Sequence, residues 1–119
     1  MALTEAYIAG FFDGEGSVIA SRINGRPMVK LCMSQNNLEV LEKIQEFLGY
    51  GRLNRSSRGH HFLRVNKQAH VRRLIRTIYP HSIVKRKQLK LAYTMAGTQD
   101  FDYRSELMAR IRRLNRGPH

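Results

Sequence analysis

Two carboxylates, Asp13 and Glu15, stand one residue apart in the stretch Tyr7-Ile8-Ala9-Gly10-Phe11-Phe12-Asp13-Gly14-Glu15-Gly16-Ser17-Val18. Small and aromatic residues precede them and an alternating pattern follows, so both acids fall where a helix ends and a strand leaves. Gly14 and Gly16 are read as the hinge, because glycine adopts dihedrals that a Cβ forbids. The end of a helix carries partial negative charge, which makes acids there unfavourable unless a cation is near. Local rules are broken in this way mostly at functional sites. A divalent metal is the compensating cation this pair suggests.

Other reactive residues are few. Cys32 is the lone cysteine, which excludes an internal disulfide framework or a cysteine metal site and suits a reducing compartment. His60 and His61 are adjacent, and neighbours on a strand point to opposite faces, so they read as basic loop residues rather than metal ligands. Charge is the stronger signal. Lys and Arg number 21 against 9 Asp and Glu, a formal net charge of +12 over 119 residues. Such self-repulsion asks for a polyanion partner, with nucleic acid the default and an anionic membrane surface second. The hydrophobic share of 42% is that of an ordinary soluble domain. No apolar run approaches the roughly 20 residues of a membrane span, and no signal-peptide layout opens the chain. The expectation is an intracellular protein that is not secreted, in whichever compartment holds its partner. The sequon at Asn54 is read as an accident of composition.

The elements that must position these residues follow from periodicity. One domain spans 1–119, without repeat or linker. Thr4 caps a first helix running from about Glu5 to Phe12. Ala6, Gly10 and the Asp13-Gly14 end share one unusually small face, fit either for close approach of another helix or for tight packing on the chain's own sheet. Residues 17–23 alternate as a strand, Asn24-Gly25 marks a hairpin turn, and Met28 to Ser34 return. Val29, Leu31 and Met33 form the core face of that return strand, and Met28, Lys30 and Cys32 the open one. A helix over 38–48, capped by Asn36 or Asn37 and stopped by Gly49, turns Glu39, Glu42 and Glu46 to water. A second hairpin joins 50–55 to 61–66, its register uncertain by one residue. Helices over 68–79, 83–95 and 103–114 complete the chain, the second opening on the basic run Val84-Lys85-Arg86-Lys87.

At this point Ile8-Ala9-Gly10-Phe11-Phe12-Asp13-Gly14-Glu15-Gly16 resembles the nine-residue signature of the LAGLIDADG homing endonucleases. Ala9, Gly10, Asp13 and Gly16 match its letters, and Glu15 replaces Asp at the final acidic position. The order of elements is similar to that family's α+β core, αββαββα with extra helices at the C-terminal end. The resemblance implies an antiparallel saddle straddling double-stranded DNA in the major groove. With one motif per chain it also implies a homodimer, packed through Ala6, Gly10 and Asp13, reading a pseudo-palindromic site. The two Glu15 carboxylates, with the Gly14 backbone carbonyl, would then hold Mg²⁺, or Mn²⁺ in its place, for hydrolysis of both strands with staggered ends.

Two further catalytic residues are carried over by motif. Gln35 resembles the polar residue that orders the attacking water, and Lys85 the lysine near the scissile phosphate. The blander readings are a neighbour of a helix cap for Gln35 and a solvated charge for Lys85. Asp13 is read as ordering the turn rather than binding metal. The basic residue that the family often carries after the second strand is missing, since Asn37-Leu38-Glu39 stands there. The resemblance places sequence reading on Ser17, Ile19, Ser21, Met28, Lys30, Cys32, Arg52, Asn54 and Arg64, with Arg58 on the basic loop. Two other functions use the same fold: a DNA-binding regulator without catalysis, and a maturase that binds intron RNA.

Overall fold

Local signals start and stop most of the elements. Thr4 Oγ accepts the Tyr7 N–H at 3.1 Å and opens α1 (Glu5–Glu15). β1 (Gly16–Ile23) follows at once and returns as β2 (Arg26–Gln35) through Asn24 and Gly25, both at positive φ. That pair of left-handed residues makes the tight turn whose twist matches a hairpin. α2 (Leu38–Leu48) is capped by the Asn37 side chain and ends on Gly49 at φ 80°, as its sequence requires. β3 (Arg52–Asn54) and β4 (His61–Val65) form the second hairpin, followed by α3 (Gln68–Ile78), a 3₁₀ turn (Tyr79–His81), α4 (Arg86–Gly97) and α5 (Phe101–Arg116). The structure, a computed structural model, describes residues 2–117.

The antiparallel sheet has the order β1-β2-β4-β3. Its register pairs Ser17 with Cys32, Cys32 with Arg64, and Arg64 with Arg52, so these four form one row across one face. The row pairing Leu31 with Val65 and those holding Val18, Met33 and Leu63 put Val18, Ala20, Val29, Leu31, Met33, Leu63 and Val65 on the other face, all buried. Against that face pack Ile8 and Phe12 of α1, Leu41 and Ile44 of α2, Leu74 and Ile78 of α3, Leu89 and Met95 of α4, and Leu107 and Ile111 of α5. All helices thus crowd one side of the sheet and leave the other free. The one-residue ambiguity of the second hairpin resolves with Phe62 and Arg64 on the free face. Among the described residues no helix is long and apolar enough to cross a membrane.

The boundaries of α1, α4 and α5 differ from the sequence expectation, and β3 starts at Arg52 rather than at residue 50. α1 runs on through Glu15 rather than stopping near Phe12, with Gly14 in helical conformation. Neither Gly14 nor Gly16 has a positive φ, so the hinge argument is corrected. Gly16 is required by proximity instead: a Cβ there would come 2.6 Å from the Phe12 ring carbon Cγ and from the Phe12 carbonyl. α4 begins at Arg86, three residues later than its pattern suggests, for a reason that lies at the site. α5 begins earlier, at Phe101, where the Asp100 side chain caps it at 2.9 Å. It also covers one of the two edges of the sheet, that of β1. Arg112 Nε donates to the Ala20 carbonyl at 3.0 Å and Asn115 Nδ2 to the Val18 carbonyl at 2.8 Å. Carbonyls two residues apart lie on one side of a strand, so these bonds blunt the β1 edge, which would otherwise invite another chain.

Candidate active site and nucleic-acid interface

The motif helix divides its acids between two tasks. Asp13 faces its own chain. Its carboxylate accepts Ser82 Oγ at 2.6 Å, the Ile83 N–H at 2.7 Å, the Val84 N–H at 3.1 Å and the Lys85 N–H at 3.4 Å. Lys85 Nζ returns a bond to the Asp13 carbonyl at 2.7 Å. Burial pushes the Asp13 pKa up, but the bonds from Ser82, Ile83, Val84 and Lys85 together outweigh it and hold the group below its ordinary value. The Asp13 carboxylate is thus occupied within the chain, by the segment of residues 82–85. The cation expected near it is supplied in part by Lys85, whose ammonium sits on a C-terminal carbonyl of α1, where the helix dipole favours it.

Glu15 is the acid left over. It is the last residue of α1, exposed, and makes no ion pair with a described residue. Ala6, Gly10 and Gly14 are also exposed, at i, i+4 and i+8, and a Cβ on Gly10 or Gly14 would meet nothing within 4 Å. The open small face of α1 and the free carboxylate at its end are thus properties of the single chain. Among the described residues no three His, Cys, Asp or Glu side chains cluster as a metal site. What the chain offers a metal is Glu15 with the nearby carbonyl of Gly14, one of the last four in the helix, which have no acceptor role further along it. These are hard oxygen donors of the kind Mg²⁺ prefers, yet too few to enclose it without oxygens from elsewhere.

Gln35 ends β2, two residues past the partner of Gly16. Its Oε1 accepts the Asn36 N–H at 2.8 Å and the Asn37 N–H at 3.5 Å. That is the local capping arrangement expected of the blander reading, and it leaves the amide nitrogen as the end able to serve water. Lys85 is half-buried and lines an open groove of ≈ 970 Å³ with Ser17, Ile19, Lys87, Lys90 and Asn115.

The residues assigned to sequence reading fall on the free face in a grid. Ile19 lies beside Lys30, Ser21 beside Met28, and Asn54 beside Phe62, flanking the row Ser17, Cys32, Arg64 and Arg52. Arg58 is exposed on the loop between β3 and β4. Two members depart from expectation. Cys32 is on the predicted face but only 8% exposed; burial pushes its thiol pKa up, against an opposing hydrogen bond from Arg64. Met28 is drawn toward the helices, with Arg104 Nη2 3.4 Å from its sulfur. His61 Nδ1 accepts the Ser56 N–H at 3.1 Å, which ties the loop. The tie from Asp13 to residues 82–85 was not visible in the sequence, because its two ends lie about seventy positions apart. Ser82 ahead of a basic helix start was the available hint.

Comparison with known proteins agrees with this geometry. The sequence matches the family model described as LAGLIDADG endonuclease over residues 8–96. No curated protein matches it by sequence. Among solved structures, the homing endonuclease I-CvuI in complex with the I-CreI target superposes with a TM-score of 0.84 at 23% identity, over 96% of this chain and 83% of that one. The archaeal intron-encoded homing endonuclease I-Vdi141I, complexed with DNA, gives 0.82 at 24% identity over 97% and 86%. The meganuclease I-SmaMI bound to DNA gives 0.79 at 16% identity, with this chain covering 45% of its length. At these identities the likeness speaks for the fold.

Proposed function

Because the chain belongs to the LAGLIDADG endonuclease family, we propose that two copies pair through α1, straddle double-stranded DNA with their free sheet faces, and cut both strands with staggered ends by metal-assisted phosphodiester hydrolysis. One observation carries this reading: Glu15 is exposed and has no ion-pair partner among the described residues, at the junction of an open helix face and an open sheet face. Pairing along Ala6, Gly10 and Gly14 brings the two Glu15 side chains toward each other, where like charges repel unless a cation lies between them. The Glu15 carboxylates and Gly14 carbonyls, with phosphate oxygens of the substrate, would hold Mg²⁺. When bound, such an ion neutralises charge on the phosphate and lowers the pKa of water.

The chain's own groups then have distinct work. Arg64, Arg52 and Lys30 neutralise the backbone and read base edges from the free face, while Arg58 adds a contact from its loop. Lys85 presents a fixed positive charge beside the end of α1, suited to stabilising charge that grows on the scissile phosphate. Gln35, its oxygen taken by Asn36, orients water through its amide hydrogens.

The test begins with selection of cleaved sites from a randomised duplex library incubated with the protein and Mg²⁺. The expected result is one long site with related half-sites and paired nicks offset across the strands. Protein that binds a duplex tightly but cuts nothing with Mg²⁺ or Mn²⁺ would contradict the nuclease reading and favour a non-cutting regulator. Tighter binding to intron RNA than to any duplex would favour the maturase.

A further inference from the structure

The segment Ser82-Ile83-Val84-Lys85 is held in an unusual way. Ile83 is 82% exposed and Val84 69% exposed, so neither side chain packs against anything that could position the segment. α4 has no cap of its own, since its first flanking residue is Lys85 and no side chain there accepts a hydrogen bond. The first backbone N–H groups of a helix nonetheless need acceptors. Of these Asp13 reaches only the Lys85 N–H, at 3.4 Å; its main hold is on the turn ahead of α4, where the same carboxylate takes the Ile83 and Val84 N–H groups and the hydroxyl of Ser82, which is itself only 2% exposed. The positive end of α4 thereby meets the negative end of α1, and the Lys85 ammonium closes the link on the Asp13 carbonyl. Arg86 braces the segment from behind, donating to the Tyr79 carbonyl at 3.0 Å and the Ser82 carbonyl at 3.3 Å.

From this geometry we infer that Asp13 is a positioning residue, whose carboxylate fixes the Lys85 ammonium at the Glu15 end of α1. The inference rests on the role given to Lys85 above. Asp13 touches neither substrate nor metal in this account; it acts through the segment it holds. The second acid of the motif thus anchors the segment that carries Lys85. Removing its charge should loosen residues 83–85 while leaving Glu15, the sheet face and the core in place.

The experiment is a double-mutant cycle in the full chain, using the duplex selected by the wild-type protein, with Mg²⁺. Asp13→Asn should lower the single-turnover cleavage rate roughly 10- to 100-fold, the scale set by misplacing a reacting group by about an ångström. The protein concentration for half-maximal rate should stay within about threefold, because the DNA face is untouched. In a Lys85→Ala background the same change should cost about twofold or less, because the group it positions is already gone. Amide exchange without DNA or metal gives an independent reading: the Ile83 and Val84 N–H groups should exchange roughly tenfold faster in Asp13→Asn. Ser82→Ala, which keeps the carboxylate and removes one bond, should move rate and exchange in the same direction by less, and decides the matter where Asp13→Asn does not fold.

Multiplicative losses from Asp13→Asn and Lys85→Ala, or unchanged exchange at Ile83 and Val84, would overturn the inference with the nuclease reading intact. A wild-type rate in Lys85→Ala would instead remove the catalytic role of Lys85, and this inference with it.

Discussion

Gly10 offers a prediction whose sign depends on whether a second chain is present. It is exposed in the middle of α1, and a Cβ there meets nothing within 4 Å. In a lone chain its replacement by leucine removes the conformational penalty of glycine in a helix, a gain of about 0.5–1 kcal/mol. With a urea dependence of about 1–1.5 kcal/mol per molar for a chain of this size, that gain moves the unfolding midpoint up by about 0.5 M. In a dimer packed through Ala6, Gly10 and Gly14 the same side chain blocks the close approach that small residues permit. The assay is urea unfolding followed by tyrosine fluorescence over a range of protein concentrations, with sedimentation at each. The wild-type midpoint should rise with concentration, since association stabilises the folded state by mass action. The Gly10→Leu midpoint should be flat, higher than wild type in dilute solution and lower in concentrated solution. A wild-type midpoint independent of concentration, or a Gly10→Leu protein of dimeric mass, would refute the pairing along α1.

Gly16→Ala should do the opposite, losing about 1–3 kcal/mol of stability at any concentration, because its methyl group is forced against Phe12. A thermal melt reads this, and a loss below about 0.5 kcal/mol would mean that α1 and β1 can separate cheaply at their junction. Arg64→Ala should weaken duplex binding and reduce the slope of log affinity against log salt by about one, as the loss of a phosphate contact requires; an unchanged slope would place Arg64 off the DNA. Arg112→Ala frees the Ala20 carbonyl on the sheet edge, with a stability loss of about 1 kcal/mol in the melt. An unchanged melting temperature would show that this bond does not secure the edge.

What could be read from the sequence divides by the range of the forces involved. α2 begins and ends where Asn37 and Gly49 place it, because a cap and a left-handed stop are local chemistry. The Asn24-Gly25 turn, the inward residues of α3 and the alternating faces of β2 are legible for the same reason. The end of α1 was misjudged because Gly14 and Gly16 look like hinge residues, whereas one is helical and the other is small to admit the Phe12 ring. The start of α4 differs from its sequence pattern because the N–H groups of Ile83 and Val84 are taken by Asp13, about seventy positions away, and the helix begins only after them. Glu15 and Lys85 are candidates by motif resemblance, and their nearness to the same helix end is a property of the fold. Asp13 carried the opposite lesson. The sequence reads it as ordering its own turn and as part of a packing face, whereas its four donors lie in residues 82–85, about seventy positions away.

In the proposed mechanism the Glu15 carboxylate at the end of α1 is what makes this strongly basic chain a nuclease. Its most direct test is the single-turnover cleavage rate of Glu15→Gln on the selected duplex with Mg²⁺, beside its affinity for the same duplex. The substitution keeps size and helix propensity and removes only the charge. The account predicts a loss of cleavage of roughly 10³-fold or more with affinity within about threefold of wild type. Cleavage at the wild-type rate would contradict it.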